Sequence, residues 1–137
     1  MAKKNQKAVW GYFPTKKSNV PTKAQKAAIT AKFAPLVQRL NDELPPLEEP
    51  QVRNQCIRVF TKWWRNFFYV MQEYKCPPEG YTAPGFEIGV SRMEFHAENS
   101  FDIAYFRHTG QWWVIAEGLT LEECLESVEK DPWFQVF

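Results

Sequence analysis

The segment from Tyr105 to Leu125 constrains the fold of this chain most strongly. Two aromatic-rich runs flank His108-Thr109-Gly110, whose glycine can take the positive φ that a tight hairpin turn requires. The string Thr120-Leu-Glu-Glu123 then fits a capping box, in which the threonine and the glutamate each satisfy a free backbone N–H of the other. The segment therefore predicts a strand, a tight turn, a second strand and a capped helix.

Composition bounds the class of protein. The chain has 137 residues, 45% hydrophobic and 16% aromatic, which suits one domain that needs neither disulfides nor metal. Cys56, Cys76 and Cys124 are odd in number and lack metal-ligand spacing, so we expect reduced, buried thiols. The longest apolar run, 67–71, is far shorter than the ~20 residues of a membrane helix, and no signal-peptide pattern opens the chain. We expect a soluble, cytoplasmic protein without a membrane partner.

Charge is distributed unevenly along the chain. Residues 1–75 contain 14 Lys and Arg against 5 Asp and Glu, whereas residues 76–137 contain 3 against 11. Such asymmetry marks either an arm that binds nucleic acid or a solvated tail that packs near the acidic half.

The chain divides into an arm and a domain. Residues 1–20 read as a basic, largely irregular N-terminal arm with Trp10–Phe13 docked on the body, and residues 21–137 as a single domain. Thr22 is a candidate N-cap for a first helix, in which Pro35 predicts a kink or a break. The apolar positions share one face: Ile29, Phe33, Val37, Leu40 and Leu44.

Residues 55–75 admit two interpretations. Paired apolar residues are typical of a long buried helix, whereas aromatic and β-branched content favours two strands joined at Trp64-Arg65-Asn66. Further along, Gly89 to His96 reads as a strand with an irregularity across Arg92-Met93.

Four strings carry a family resemblance, and they cover roughly residues 50–137. They are Thr61–Tyr69, Arg107–Trp112, Gly118–Leu125 and Asp131–Phe134. With them the chain resembles the small prokaryotic proteins of the domain-of-unknown-function 3024 family. The resemblance implies a hairpin over residues 55–75 with a polar turn at Arg65-Asn66, and it implies no activity, cofactor or site residue.

These elements together predict an α+β fold. We expect a mostly antiparallel sheet of about five strands, with a bent N-terminal helix and a C-terminal helix packed on one face.

A basic and aromatic cluster is the main candidate for binding. Aromatic rings stack on bases while cations neutralise phosphates, which is the mixture that single-stranded nucleic acid needs. The competing interpretation is that the aromatic residues form core and the cations border the sheet. The candidate residues are Arg58, Lys62, Trp63, Trp64, Arg65 and Tyr69.

The histidines suggest an alternative site. Arg107, His108 and Trp112 are predicted at one end of the sheet, where they are candidates for a small-molecule site. Either His96 or His108, with Asp102 or Glu94, is a candidate general base or half-built metal site, and with Cys56 or Cys124 a candidate nucleophile pair. Because the two histidines have no characteristic spacing, we expect instead an exposed strand residue at His96 and a turn residue at His108. No residue is assigned as catalytic or metal-binding, and no cofactor is predicted.

The sequence therefore predicts a non-enzymatic binding or interaction module whose partner is single-stranded or duplex nucleic acid. One alternative is a small-molecule-binding protein or enzyme at the Arg107-His108 end of the sheet. Another is a protein-protein adaptor or homo-oligomer. The arrangement of Trp63, Trp64, Arg65 and Trp112, in one exposed groove or on separate sides, distinguishes these possibilities.

Overall fold

A computed structural model describes residues 20–80 and 83–136. The residues proposed as the basic arm lie outside this range except for Val20, as does the Trp10–Phe13 cluster. Helix α1 covers Lys23–Asp42 and helix α2 covers Leu121–Lys130, followed by a 3-10 turn at Pro132–Phe134. The strands are β1 (Gln55–Trp64), β2 (Phe67–Lys75), β3 (Gly85–Ala97), β4 (Ser100–Phe106) and β5 (Trp112–Leu119).

The five strands form one antiparallel sheet in the order β1-β2-β3-β4-β5, so each strand pairs with its neighbour in sequence. Helix α1 packs over β1 and helix α2 over β4, and both contribute to one core. This arrangement confirms the predicted α+β class. The most deeply buried large side chains of that core include Phe33, Phe68, Met93, Phe101 and Ile103.

The hairpin interpretation of residues 55–75 is confirmed. Trp64 pairs with Phe67, which leaves Arg65-Asn66 as a two-residue turn. Arg65 has φ of 56°, the left-handed conformation that the twist of such tight turns favours.

Both helices begin at the predicted caps. Thr22 and Thr120 each accept a hydrogen bond from the backbone N–H three residues on, and the side chain of that residue accepts from the cap in return. Helix α1 continues through Pro35 without the break that was one expectation. Ala31 and Pro35 are both exposed, so the carbonyl that loses its donor lies on the solvent side.

Strand β3 contains the predicted irregularity, but at another position. Ser91 pairs with Val70 and Gly89 with Met71, so Val90 is the extra residue of a bulge, rather than a residue of the Arg92-Met93 pair. The strand also begins earlier than expected, at Gly85.

The helices cover only one face of the sheet. We call the other the open face; none of the described helices packs on it. Alternation and strand register assign to it Arg58, Phe60, Lys62, Trp64, Phe67, Tyr69, Met71, Glu73, Glu87, Gly89, Arg92, Glu94, His96, Asp102, Ala104, Phe106, Trp112 and Val114. In the described part of the chain, neither helix combines the length and apolarity needed to cross a membrane.

Candidate functional site

Five aromatic rings form a continuous cluster on the open face, which we call the aromatic platform. Trp64 stacks on Phe67 with ring centroids 6.2 Å apart, and Phe67 lies 6.3 Å from Tyr69. Tyr69 in turn lies 5.6 Å from Trp112, which contacts Phe106 at 5.1 Å. The platform therefore crosses the sheet from edge strand β1 to edge strand β5.

Gly89 allows the platform to cross the middle strand. A Cβ atom at Gly89 would lie 2.6 Å from Cζ2 of Trp112, well inside van der Waals contact. Because glycine has no Cβ, the indole of Trp112 can lie against the backbone of β3 and reach Tyr69 on β2.

Two cations lie on the platform without an acid partner. The guanidinium of Arg92 lies 4.7 Å from the ring centre of Phe67 and 5.5 Å from that of Trp112. Arg65 lies 4.5 Å over the ring of Trp64. Within residues 20–80 and 83–136, neither arginine pairs with a carboxylate, so both charges are held by rings and remain available to an anion.

The other two cations of the face have acidic neighbours. Arg58 donates from Nε to Glu73 at 2.7 Å, which largely neutralises it. Lys62 lies 5.8 Å from the ring centre of Tyr69, and its Nζ is 3.8 Å from the Glu87 carboxylate. The distance between Lys62 and Glu87 exceeds that of a hydrogen bond, so both groups keep unused bonding capacity.

A groove of about 350 Å³ runs beside the platform. Met71 on β2 and Gly89 on β3 line it. The other open-face residues that line it are Lys62, Trp64, Tyr69, Glu87, Phe106 and Trp112. The groove thus combines exposed and partly exposed rings with one cation and one carboxylate.

Most of the predicted nucleic-acid cluster falls in this region. Strands β1 and β2 place Arg58, Lys62, Trp64 and Tyr69 on the open face, and the turn between them carries Arg65. The exception is Trp63, whose side chain lies on the opposite face.

Trp63 packs between the sheet and helix α1. Its indole donates a hydrogen bond from Nε1 to Thr30 at 3.0 Å, and its ring lies 5.0 Å from Phe68 in the core. The interpretation that the aromatic residues form core therefore holds for Trp63. Its neighbour Trp64 is 54% exposed on the other face of the sheet.

The alternative small-molecule residues do not converge. Trp112 belongs to the aromatic platform, whereas Arg107 lies 4.6 Å over Trp113 on the opposite face. His108 is exposed in the β4–β5 turn, which closes through a bond from the Gly110 N–H to the Arg107 carbonyl at 2.8 Å. Trp112 and Arg107 thus lie on opposite faces of the sheet, and His108 lies in the turn between their strands.

Glu94, His96 and Asp102 do come together at the far end of the open face. The expectation that His96 is exposed is wrong, because its Nε2 lies 2.8 Å from Asp102 and its side chain is only 21% exposed. Its other nitrogen, Nδ1, is buried and has no partner among the described residues. A metal-bound histidine normally donates that second N–H to an acceptor, so the geometry favours a hydrogen-bonded His–Asp pair.

The cysteines are unsuited to nucleophilic chemistry. Burial raises the pKa of the Cys124 thiol to about 12, and burial likewise raises the pKa of Cys56. Because the thiolate is the reactive form, neither residue is poised to attack a substrate.

Sequence reasoning missed Glu87, Arg92 and Phe106. Arg92 alternates with buried neighbours, but the neighbours of Glu87 and Phe106 are exposed or only partly buried, so their pattern indicates no face. The sequence also does not reveal the strand register, which pairs Arg92 with Tyr69 and Phe106 with Trp112. The bulge at Val90 further obscures the alternation of β3.

The model of the family described as Domain of unknown function (DUF3024) matches residues 24–136. No curated protein and no solved structure matches the chain.

Proposed function

The chain belongs to the DUF3024 family, a family of unknown function, and from the geometry of its open face we propose that it binds single-stranded nucleic acid. The observation that carries the proposal is the aromatic platform, with Arg92 held between Phe67 and Trp112 and free of any carboxylate in the described part of the chain. Unpaired bases have exposed π faces, and a platform of this kind offers several rings at once.

Stacking supplies most of the expected affinity. A base stacked on an aromatic side chain contributes about 1–3 kcal/mol, and every base has a face to stack. Trp64 is exposed, and Tyr69 and Trp112 are partly exposed and line the groove, so the face offers rings to successive bases. In a duplex the faces of internal bases are covered by neighbours, so we expect weaker binding of double strands.

Electrostatic attraction between the face and the phosphates contributes less to the expected affinity than stacking does. The open face carries Glu73, Glu87, Glu94 and Asp102 as well as its cations, so its net charge is close to zero. Arg65 and Arg92 are the clearest phosphate partners, and each phosphate neutralised on a single strand contributes about −0.7 to the slope of log K against log salt. Two such contacts predict a shallow dependence on salt from this face.

Fluorescence anisotropy with a labelled 12-nucleotide oligo-uridine or oligo-thymidine tests the proposal. We expect Trp64→Ala and Trp112→Ala to weaken binding by about 5- to 150-fold each, the equivalent of one lost stack. Trp113→Ala is the matched control, because Trp113 is 51% exposed, comparable with 54% for Trp64, but lies on the opposite face.

A second pair of variants tests the role of the cations. Arg92→Gln removes an unpaired charge from the platform, and we expect the salt slope to become shallower by about 0.7. Arg107→Gln removes an arginine that lies over a ring on the opposite face, so its slope stays that of the wild type. Absence of binding by the wild-type protein at low salt, or equal weakening by Trp64→Ala and Trp113→Ala, contradicts the proposal.

A further inference from the structure

Glu87 stands out in the groove because its carboxylate accepts no hydrogen bond within the described structure. It is 48% exposed, and its nearest cation, Nζ of Lys62, is 3.8 Å away, beyond the 2.7–3.2 Å typical of an N–H···O bond. Glu73 lies directly opposite on β2, yet its carboxylate accepts a hydrogen bond from Arg58 at 2.7 Å. Glu73 therefore already accepts a short hydrogen bond from a cation, whereas Glu87 accepts none among the described residues and keeps both oxygens for a ligand.

We propose that Glu87 and Lys62 read the edge of a nucleobase held in the groove and favour guanine. This inference rests on the proposed function, since it names the base that the same face selects. An ionised carboxylate only accepts hydrogen bonds and a lysine only donates them, so the pair presents a donor beside an acceptor with two oxygens.

The hydrogen-bonding edge of guanine fits that pattern better than those of the other bases. Its O6 accepts, while the adjacent N1–H and N2–H₂ groups both donate, so O6 can meet Lys62 and the two donors can meet the two oxygens of Glu87. Adenine, cytosine and uracil each offer the carboxylate a single donor group next to an acceptor for the lysine. Guanine therefore makes one more charge-assisted hydrogen bond than its competitors.

The dimensions of the groove agree with a single base. Its volume of about 350 Å³ lies at the lower end of the ~300–1,000 Å³ range of small-molecule pockets. Tyr69 and Trp112 line the groove, so a base lying there can contact a ring while its edge faces Glu87. Stacking and edge recognition can therefore act on the same base.

The test uses four labelled oligonucleotides of seven nucleotides. One is oligo-uridine, the host, and the other three carry a guanosine, an adenosine or a cytidine in place of its central uridine. We expect the guanosine oligonucleotide to bind the wild-type protein about tenfold more tightly than the host, the equivalent of one specific base contact. In Glu87→Gln, which loses one accepting oxygen and the charge, that ratio falls to about twofold or less. Glu73→Gln is the matched control and retains the wild-type ratio.

The outcomes separate this inference from the proposed function. Equal binding of all four oligonucleotides to the wild-type protein overturns the guanine preference and leaves single-strand binding intact. The role of Glu87 in the guanine preference is also overturned if Glu87→Gln binds all four oligonucleotides more tightly by the same factor. The ratio between the guanosine-containing oligonucleotide and oligo-uridine is then unchanged, and Glu87 acts only by repelling phosphates. If no oligonucleotide binds, both the inference and the proposed function fail.

Discussion

At the scale of single residues, the contact between Gly89 and Trp112 controls the aromatic platform. Gly89→Ala places a Cβ where the indole now lies, so we expect the ring to be displaced and the free energy of unfolding to fall by about 1–3 kcal/mol. Urea denaturation measures the loss, and near-ultraviolet circular dichroism reports the displaced ring.

A double-mutant cycle isolates the cause of that loss. In a Trp112→Ala background the added Cβ meets no indole, and replacing a strand glycine by alanine then stabilises by about 0.5–1 kcal/mol. A loss that is equally large in both backgrounds would show that Gly89 is needed for some other reason.

Cys124 predicts a dependence of stability on pH. Burial raises its pKa from an ordinary value of 9.0 to about 12, so the folded protein keeps a proton that the unfolded chain releases above pH 9. The contribution of the Cys124 thiol to the free energy of unfolding is fully present below pH 9 and is lost towards pH 12. Between these values the free energy of unfolding falls by at most about 1.4 kcal/mol per pH unit.

Urea denaturation of the wild type and Cys124→Ala between pH 7 and pH 10.5 checks this dependence. The stability difference between the two proteins should be constant up to about pH 9 and then narrow. A difference that stays constant to pH 10.5 contradicts the account of Cys124.

At the scale of elements, the β1–β2 turn combines local strain with a candidate binding residue. Arg65 has φ of 56°, and asparagine tolerates this region better; the β3–β4 connection has Asn99 at φ of 58°. We expect Arg65→Asn to stabilise the protein by about 0.5 kcal/mol while weakening oligonucleotide binding, because it removes an unpaired cation.

Arg65→Ala provides the comparison. It removes the same charge but keeps a residue poorly suited to positive φ, so its binding should weaken equally without a gain in stability. Unchanged binding by both variants would exclude Arg65 as a phosphate partner.

The side chain of Asn41 on helix α1 hydrogen-bonds to the outer backbone edge of β1. Asn41 accepts a hydrogen bond from the Val59 N–H at 2.8 Å and donates one to the Val59 carbonyl at 2.8 Å. It also donates to the Val37 carbonyl in its own helix at 2.9 Å. The side chain thus satisfies edge-strand groups that otherwise invite pairing with another chain.

Replacing Asn41 tests this function. Asn41→Ala leaves both groups of Val59 without their partner, so we expect the free energy of unfolding to fall by about 2 kcal/mol and self-association to increase. Asn41→Asp keeps the acceptor, so its free energy of unfolding should lie between those of the wild type and Asn41→Ala. Urea denaturation measures the stability and light scattering measures self-association. If Asn41→Ala lowers the free energy of unfolding by less than about 0.5 kcal/mol, Asn41 does not stabilise the edge of β1 as described.

At the scale of the whole molecule, the uneven charge of the sequence is partly resolved by the fold. Arg39 on α1 pairs with Glu129 on α2 at 3.3 Å, and Lys32 pairs with Glu122 between the same helices. All four side chains are more than 40% exposed, so each pair contributes little to stability. The opposite charges of the two halves therefore meet within the molecule.

The fold was more predictable than the candidate site because its signals are local. The Thr120 capping box depends on residues close in sequence, and the prediction made from them is confirmed. The Arg65-Asn66 turn is one of two interpretations that the residues allow, and the family resemblance is what favours it. Placing Trp63 under a helix, or Arg92 beside Trp112, requires knowing which face is covered and how strands align. The alternation of residues along a strand shows which side chains share a face. It shows neither which face the helices cover nor how neighbouring strands align.

The measurement that tests the central claim most directly is an NMR titration of the tryptophan indole N–H signals with a single-stranded oligonucleotide. The account predicts that the Nε1–H signals of Trp64 and Trp112 shift progressively, since both rings belong to the aromatic platform. Trp63, Trp113 and Trp133 lie away from the open face and should keep their positions. Shifts confined to these three, or no shifts at saturating oligonucleotide, would contradict it.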